Sequence, residues 1–331
     1  PGEEDSEQRT QQLASILEAE AERQEERGNL ELTVQLREQR QELDPDFNNL
    51  LKLLELLIQT EQFKTDFIEE WQLIEHLTQV DASKVNETQL HKTIILIISF
   101  SPVKEIEDLV QLTYNLSKDR FEFLGQLRKV ALDYTYEKNR IDVGIRLLEK
   151  CCNLDSFFKQ GLEHLSFFYT NAGQHKEAIE TANSFYDLCE SLPERIEGIT
   201  IILRALLTAG VWSEVAKIKH LHNQLLREGI AEIKEIAAKD THDGLAIATF
   251  YLAYLEDNAQ ENRWLQNQVM QLYDRFLPDR DSNIHYHPKP DRLVKNRCLK
   301  VGYIAHTFRK NAVGWLCRWL VQNHHRDAFH V

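Results

Sequence analysis

Glycine and proline are scarce, with 12 and 7 among 331 residues. A β-sandwich or a loop-rich enzyme needs more of both at its turns, so those classes are disfavoured. Methionine occurs once, at Met270, so Pro1 is read as something other than a translation start and the sequence as a piece of a longer protein. The five cysteines, Cys151, Cys152, Cys189, Cys298 and Cys317, are odd in number and irregular in spacing, with no C-x-x-C. That argues against a disulfide framework and a zinc site, and favours buried free thiols in a reducing cytoplasm. No signal peptide is visible. The most apolar run, Thr93 to Phe100 (TIILIISF), is far shorter than the roughly 20 residues of a membrane span, so a buried helix is expected there. G-x-G-x-x-G, Walker and G-x-S-x-G patterns are missing, which removes the usual phosphate cradles and hydrolase elbows.

Positive charge is also in deficit: 39 Lys+Arg face 53 Asp+Glu, a net of −14. Nucleic acid and anionic membranes both require a positive field, so neither is an expected partner. The deficit is unevenly spread. Residues 285–331 carry nine basic and two acidic residues, a net of +7, while the rest of the chain carries −21. A shift of that size marks a domain boundary. The acidic surplus points to neutral or basic protein segments as partners.

What is abundant is Leu, Glu and Gln, all good helix formers. Leu13, Ile16, Leu17 and Ala21 recur at helical spacing, and Gly28-Asn29 then breaks the pattern. Asp44-Pro45-Asp46 reads as a stop followed by a capped start, and FNNLLKLLELLIQ after it is apolar almost all round. Asp66 with Glu69 has the spacing of a capping box, and Ser101-Pro102 is placed to open another helix.

A repeat runs through the middle. NRIDVGIRLLEKC, AGQHKEAIETANSF and AGVWSEVAKIKHLH each hold a turn residue, Asn139, Gly173 or Gly210, with a small or short residue five positions later: Gly144, Ala178 or Val215. The intervals are 34 and 37 residues, and an earlier copy places Thr33 five after Gly28. With Leu162, Leu165 and Tyr169 on the preceding helix, this segment resembles the tetratricopeptide repeat, most closely over Lys159 to Leu192. The resemblance implies stacked helical hairpins whose first helices form a concave, partner-binding face.

Two D-x-D triplets, Asp44-Pro45-Asp46 and Asp279-Arg280-Asp281, are better explained as a helix start and a polar turn than as metal sites. His285-Tyr286-His287 lacks a third ligand nearby and reads as a surface linker. No metal site is expected.

The last segment is different. Leu299 to Ala305 is a short apolar run, His306 to Asn311 is polar and basic, Ala312 to Asn323 is mostly apolar, and Phe329-His330-Val331 starts a second apolar run. That order reads as a β-α-β crossover, with the 305–311 turn where ligands gather at a parallel sheet. Val301-Gly302-Tyr303, Phe308-Arg309 and His324-His325-Arg326-Asp327 resemble the opening of the catalytic domain in SPINDLY-type and O-GlcNAc-transferase-like glycosyltransferases. A tetratricopeptide array ahead of it is that family's layout.

The resemblance implies a GT-B-type fold in a longer parent protein. That parent would transfer a sugar from a UDP- or GDP-linked donor to Ser or Thr of target proteins, without a metal. The candidate active-site turn is His306, Thr307, Phe308, Arg309 and Asn311, with no catalytic residue assigned. It departs from the family at Thr307, where an acid stands, and at Asn311, where the turn histidine falls; an amide cannot exchange a proton near neutral pH as imidazole does. The expected fold is therefore all-α, a tetratricopeptide-like α-solenoid of helical hairpins, with a short C-terminal β-α-β start of a Rossmann-like domain. Residues 1–12 are expected as a disordered acidic tail, 13–277 as repeats, 278–298 as a linker and 299–331 as a truncated transferase-like domain. The expected function is protein or peptide binding on the concave face in a cytoplasmic protein, with no cofactor in this chain and no transferase activity from it alone. The alternative is a non-catalytic tetratricopeptide scaffold with a degenerate transferase domain. Homo-oligomerisation stays open.

Overall fold

A computed structural model of the chain describes residues 2–100, 105–232, 239–276, 299–303, 312–326 and 329–330. The chain divides into two compact units, Pro1–Phe276 and Leu277–Val331.

The first unit is built from helices in antiparallel succession. α1 (Gly2–Glu26) and α2 (Leu30–Leu43) form the opening hairpin, and α3 (Phe47–Gln59) is followed by the short α4 (Phe67–Glu70) and α5 (Leu73–Gln79). Then come α6 (Glu87–Phe100) with α7 (Ile106–Leu116), α8 (Arg120–Tyr136) with α9 (Ile141–Leu154), and α10 (Lys159–Asn171) with α11 (His175–Asp187). α12 (Leu192–Ala209) pairs with α13 (Trp212–Glu232), and α14 (Lys239–Phe250) leads through α15 (Leu252–Leu255) to α16 (Ala259–Phe276). First helices pack on one another, α3 on α6, α6 on α8, α10 on α12 and α12 on α14. Second helices pack on the next first helix, α9 on α10 and α11 on α12. This is solenoid packing, in which each hairpin hides its apolar face against its neighbour. α3 lies deepest in it, with Leu50, Leu51 and Leu54 sealed from solvent, as its near-continuous apolar sequence requires.

The turns explain why the chain reverses where it does. Gly28, Gly173 and Gly210 have φ of 77°, 75° and 72°, and Asn139 has φ 55°. At each glycine the following N–H reaches back five residues: Asn29 to the Gln24 carbonyl, Gln174 to Tyr169 and Val211 to Leu206. The glycine N–H itself reaches back three residues, to Glu25, Thr170 and Leu207. This is the Schellman closure, which satisfies the last carbonyls of a helix and requires a left-handed residue that glycine and asparagine supply most cheaply.

Five residues after each turn, Thr33, Gly144, Ala178 and Val215 are all buried where second helix meets first. The approach is tightest at Gly144, where a Cβ would lie 2.2 Å from the Thr135 Oγ1 and 2.9 Å from the Ala131 carbonyl oxygen.

One polar network ties the first three helices together. Arg37 is wholly buried, and its guanidinium donates to Glu18 at 3.2 Å, Glu25 at 3.4 Å and the Asn49 side-chain oxygen at 3.2 Å. Lys52 joins at Glu18 at 3.1 Å, and the charges around Glu18 hold its carboxyl below its usual range despite partial burial.

Some expectations are corrected. α1 begins at Gly2, so residues 2–12 continue a helix rather than form a disordered tail; Glu- and Gln-rich sequence extends a helix at little cost. Asp66 is itself helical and makes no side-chain cap, so the capping box with Glu69 does not form. The helical segment after Asp66 (FIEEWQLIEHL) is split between α4 and α5 at Gln72, which has φ 48°. Asp46, by contrast, caps α3 by accepting from the Asn49 N–H at 2.8 Å. Ser101-Pro102 and the linker 278–298 lie outside the described residues.

In the second unit β1 (Leu299–Lys300) and β2 (Phe329–His330) pair in parallel, Leu299 opposite Phe329 and Lys300 opposite His330, with α17 (Ala312–Gln322) between them in sequence. The order is β-α-β. Two-residue strands around one helix are too little to identify a Rossmann-like domain.

Candidate functional site

The candidate turn His306, Thr307, Phe308, Arg309 and Asn311 lies outside the described residues, as do Asp279-Arg280-Asp281, His285-Tyr286-His287 and Cys298. Tyr303 and His324 are joined by a hydrogen bond between the phenol and Nε2, with ring centroids 5.6 Å apart. Arg326 donates to the Val321 carbonyl at 2.9 Å. The Val-Gly-Tyr and His-His-Arg segments are thus brought together, and the contacts shown are structural ones. Among the described residues no cluster of His, Cys, Asp and Glu could hold a metal ion.

The stronger candidate lies on the array, on the face of its first helices. Between α6 and α8 is a cleft of about 710 Å³, lined by His91, Lys92, Ile95, Leu96, Glu122 and Val130 among others. His91 is buried at its base, with Nε2 2.7 Å from the Ser117 hydroxyl. That hydroxyl donates to the Thr113 carbonyl at 2.6 Å, so the imidazole is the donor to Ser117. Burial lowers the His91 pKa, which keeps the ring neutral and makes it a structural group rather than a charge for a ligand.

Farther along, aromatic side chains follow one another from helix to helix. Tyr136 closes α8 and lies 6.5 Å, centroid to centroid, from Phe167 on α10. The Arg204 guanidinium of α12 lies 4.7 Å from the centroid of the Phe167 ring. The charge of Arg204 acts on the phenols of Tyr136 and Tyr251, although burial dominates and raises the pKa of both. Phe250 and Tyr254 extend the row, and they and Tyr136 stand 62 %, 56 % and 56 % exposed. Aromatic rings beside a guanidinium are the side chains that dominate protein interfaces.

Two helical turns before Arg204 the character changes to acidic. Glu197 on α12 is pushed up to about 7, first by burial and then by the charges of Glu163 on α10 and Glu194, with Lys159 opposing. Lys159 is committed to Glu194, whose carboxyl that hydrogen bond and the Ser191 and Glu190 N–H groups lower to about 2. Glu194 also completes a capping box with Ser191 at the start of α12.

The thiols are chemically quiet. Cys151 is fully buried, and burial drives its pKa up; Cys152 and Cys189 are each pushed up to about 12 by the same cause. Cys151, Cys152, Cys189 and Cys317 are all free.

The sequence alone did not single out Phe167, Arg204, Glu163 or Glu197. The signal lay in the repeat register: Phe167 and Arg204 each stand six residues before their turn glycines, Gly173 and Gly210. Asn171, exposed at the end of α10, and Asn183, which donates back to the Ile179 carbonyl at 2.8 Å, are not part of the row.

The chain is an array of stacked helical hairpins. No protein-family model and no curated protein sequence matches it. Among solved structures it is similar to TPR-like repeats of a kinesin light chain from Podosopora anserina (16 % identity over 64 % of this chain and 97 % of that one, TM-score 0.35). It is also similar to the C-terminal part of a TPR repeat-containing protein from Cytophaga hutchinsonii (14 %, 80 % and 96 %, TM-score 0.38). A third is the MamA protein (11 %, 74 % and 97 %, TM-score 0.28). Likenesses this distant carry no argument of their own, and the architecture rests on the repeated hairpins and their turns. No helix among the described residues is long and apolar enough to cross a membrane.

Proposed function

We propose that the helical array is a protein-interaction scaffold that receives protein or peptide segments on the face of its first helices. The observation that carries this is the row from Tyr136 through the half-buried Phe167, Arg204 and Tyr251 on successive hairpins, with Tyr136 and the neighbouring Phe250 and Tyr254 exposed. A stable isolated array would hide such side chains or replace them with charged ones. The test compares affinity-purified partners of the wild-type protein and of a Phe167→Ser, Tyr251→Ser double variant by quantitative mass spectrometry. Partners lost selectively from the folded variant support the reading, and an unchanged set refutes it. Recovery of the chain itself would identify homo-oligomerisation as the use of this face.

For the parent protein, we infer a SPINDLY- or O-GlcNAc-transferase-like sugar transfer from a UDP- or GDP-linked donor to Ser or Thr. The support is the sequence resemblance at Val301-Gly302-Tyr303 and His324-His325-Arg326, together with the parallel pairing of Leu299 and Phe329 and the bare Trp315 and Trp319 on α17, which a larger sheet domain would cover. Transfer of radiolabelled GlcNAc or fucose to a protein by the full-length protein would support it, and failure with both donors would favour the second reading. That second reading, a scaffold with a degenerate transferase domain, is favoured by Thr307 and Asn311.

A further inference from the structure

Several of the array's arginines are paired: Arg37 meets Glu18 and Glu25, Arg140 meets Asp142 at 2.8 Å, and Arg227 meets Glu261. Arg204, in the middle of the first-helix row, is not. Its Nε is shielded from solvent and makes no hydrogen bond, its flat face is taken up by Phe167, and no carboxylate among the described residues pairs with it. Its charge acts on two phenols, Tyr136 and Tyr251. In a chain with 53 acidic residues against 39 basic ones, an arginine without an acid on a half-buried face is a specific placement. A partly desolvated guanidinium gains most from an anion that arrives with its own apolar surroundings.

Glu163 and Glu197 present the opposite imbalance. They sit on the same two helices as Phe167 and Arg204, close enough for Glu163 to act on Glu197; the lysine that opposes this, Lys159, is already bonded to Glu194, and among the described residues Glu163 has only the His164 imidazole at 3.8 Å. Glu197 precedes Arg204 by seven residues on one helix, which is about 10.5 Å along its axis. An extended peptide covers that distance in about three residues.

We propose that this face of α10 and α12 is a binding site for an extended peptide carrying an acidic and a basic side chain three residues apart, the acid pairing with Arg204 and the base with Glu163 and Glu197. Phe167, Tyr136 and Tyr251 form the apolar floor and walls around the acid, so that an aromatic or aliphatic residue between the two charges is favoured. The proposal rests on the scaffold reading above and names the partner's chemistry.

The test is fluorescence anisotropy of the full chain with labelled peptides holding Lys-Ala-Phe-Glu, the reverse order Glu-Phe-Ala-Lys, and a control with Gln at both charged positions. One of the two charged orders is expected to bind at least tenfold more tightly than the control. Arg204→Gln should remove the advantage of the peptide's Glu, and Glu163→Gln with Glu197→Gln that of its Lys, while Arg204→Lys keeps part of the first. Circular dichroism on each variant confirms that the array is folded, and Arg204→Lys serves if Arg204→Gln is not. Binding of both charged peptides no tighter than the control would overturn the proposal, as would binding indifferent to all these substitutions. If partners of the array still depend on Phe167 and Tyr251 while the charged peptides fail, this proposal falls and the scaffold reading stands.

Discussion

Replacing Gly144 by alanine should destabilise the array, against the usual expectation for a helix interior. In an ordinary helix the change from glycine to alanine gains about 0.5–1 kcal/mol, because glycine has more backbone freedom to lose. Here the added methyl would sit 2.2 Å from the Thr135 Oγ1, 2.9 Å from the Ala131 carbonyl oxygen and 3.0 Å from Cε2 of Phe168. The hydroxyl is held by its hydrogen bond to that same Ala131 carbonyl at 2.9 Å, and the carbonyl belongs to the backbone of α8. Relief therefore requires α8 and α9 to separate, and overpacking of this kind costs about 1–3 kcal/mol. The net prediction is a loss of about 1–2 kcal/mol in urea denaturation followed by far-UV circular dichroism. Removing the nearest obstacle with Thr135→Ala should recover at least half of that loss in the double variant, because the two sites touch and their effects do not add. A Gly144→Ala variant as stable as wild type, or more so, would refute the close approach of these two helices.

The remaining predictions concern polar groups. Arg37→Ala should cost about 2–4 kcal/mol, since it opens a cavity and leaves the buried Asn49 oxygen without its donor, whereas Glu18→Gln should cost less because Arg37 keeps Asn49 and Glu25; chemical denaturation of both measures the difference. Ser191→Ala should cost about 1 kcal/mol by opening the capping box of α12, visible as a shifted denaturation midpoint. The pH dependence should have two opposite limbs. Glu197 is raised from 4.5 to about 7, so its contribution is fully present below pH 4.5 and lost as pH rises through 7. Glu197→Gln should therefore gain on wild type over that window, by about 1–2 kcal/mol once solvent screening is allowed for. Glu194 is lowered from 4.5 to about 2, so its contribution is present above pH 4.5 and lost between 4.5 and 2; Glu194→Gln should flatten that acid limb.

The hairpins were legible because backbone chemistry marks them. A left-handed turn selects glycine or asparagine, and the close packing five residues later selects a small or short side chain, so Gly173 with Ala178 announces a hairpin without any knowledge of its neighbours. The break at Gln72 was not legible. Glutamine has no preference for the left-handed region, and the helix stops there while Trp71 stacks on Phe67 at 4.8 Å and Leu73 and Leu77 are drawn into the core. Those are tertiary contacts that override a continuous helical pattern. The capping pattern at Asp66 failed for a related reason, since Asp66 already lies in a helical turn and cannot act as the extended residue before one.

The candidate site was the least legible part. In sequence, Arg204 is one of several charged residues on α12, beside Glu194, Arg195 and Glu197, and Phe167 is one aromatic among several. Only the stacking of α10 on α12 sets the guanidinium on the ring and leaves it without an acid. The acidic surplus, read as pointing to neutral or basic partners, is a property of the whole chain, and at Arg204 an unpaired positive charge stands against it. Charge totals describe the surface; they do not describe a site on it.

The measurement that bears most directly on the central claim is photo-crosslinking from single positions in the full chain. A benzophenone amino acid at Phe167, on the first-helix face, is compared with one at Lys176, exposed on the second helix α11. Both variants are mixed with the same cellular extract and with the tighter-binding charged peptide. The account predicts partner and peptide crosslinks from position 167, competed by excess unlabelled peptide, and few from position 176. Equal crosslinking from both positions, or crosslinks from 176 alone, would contradict it.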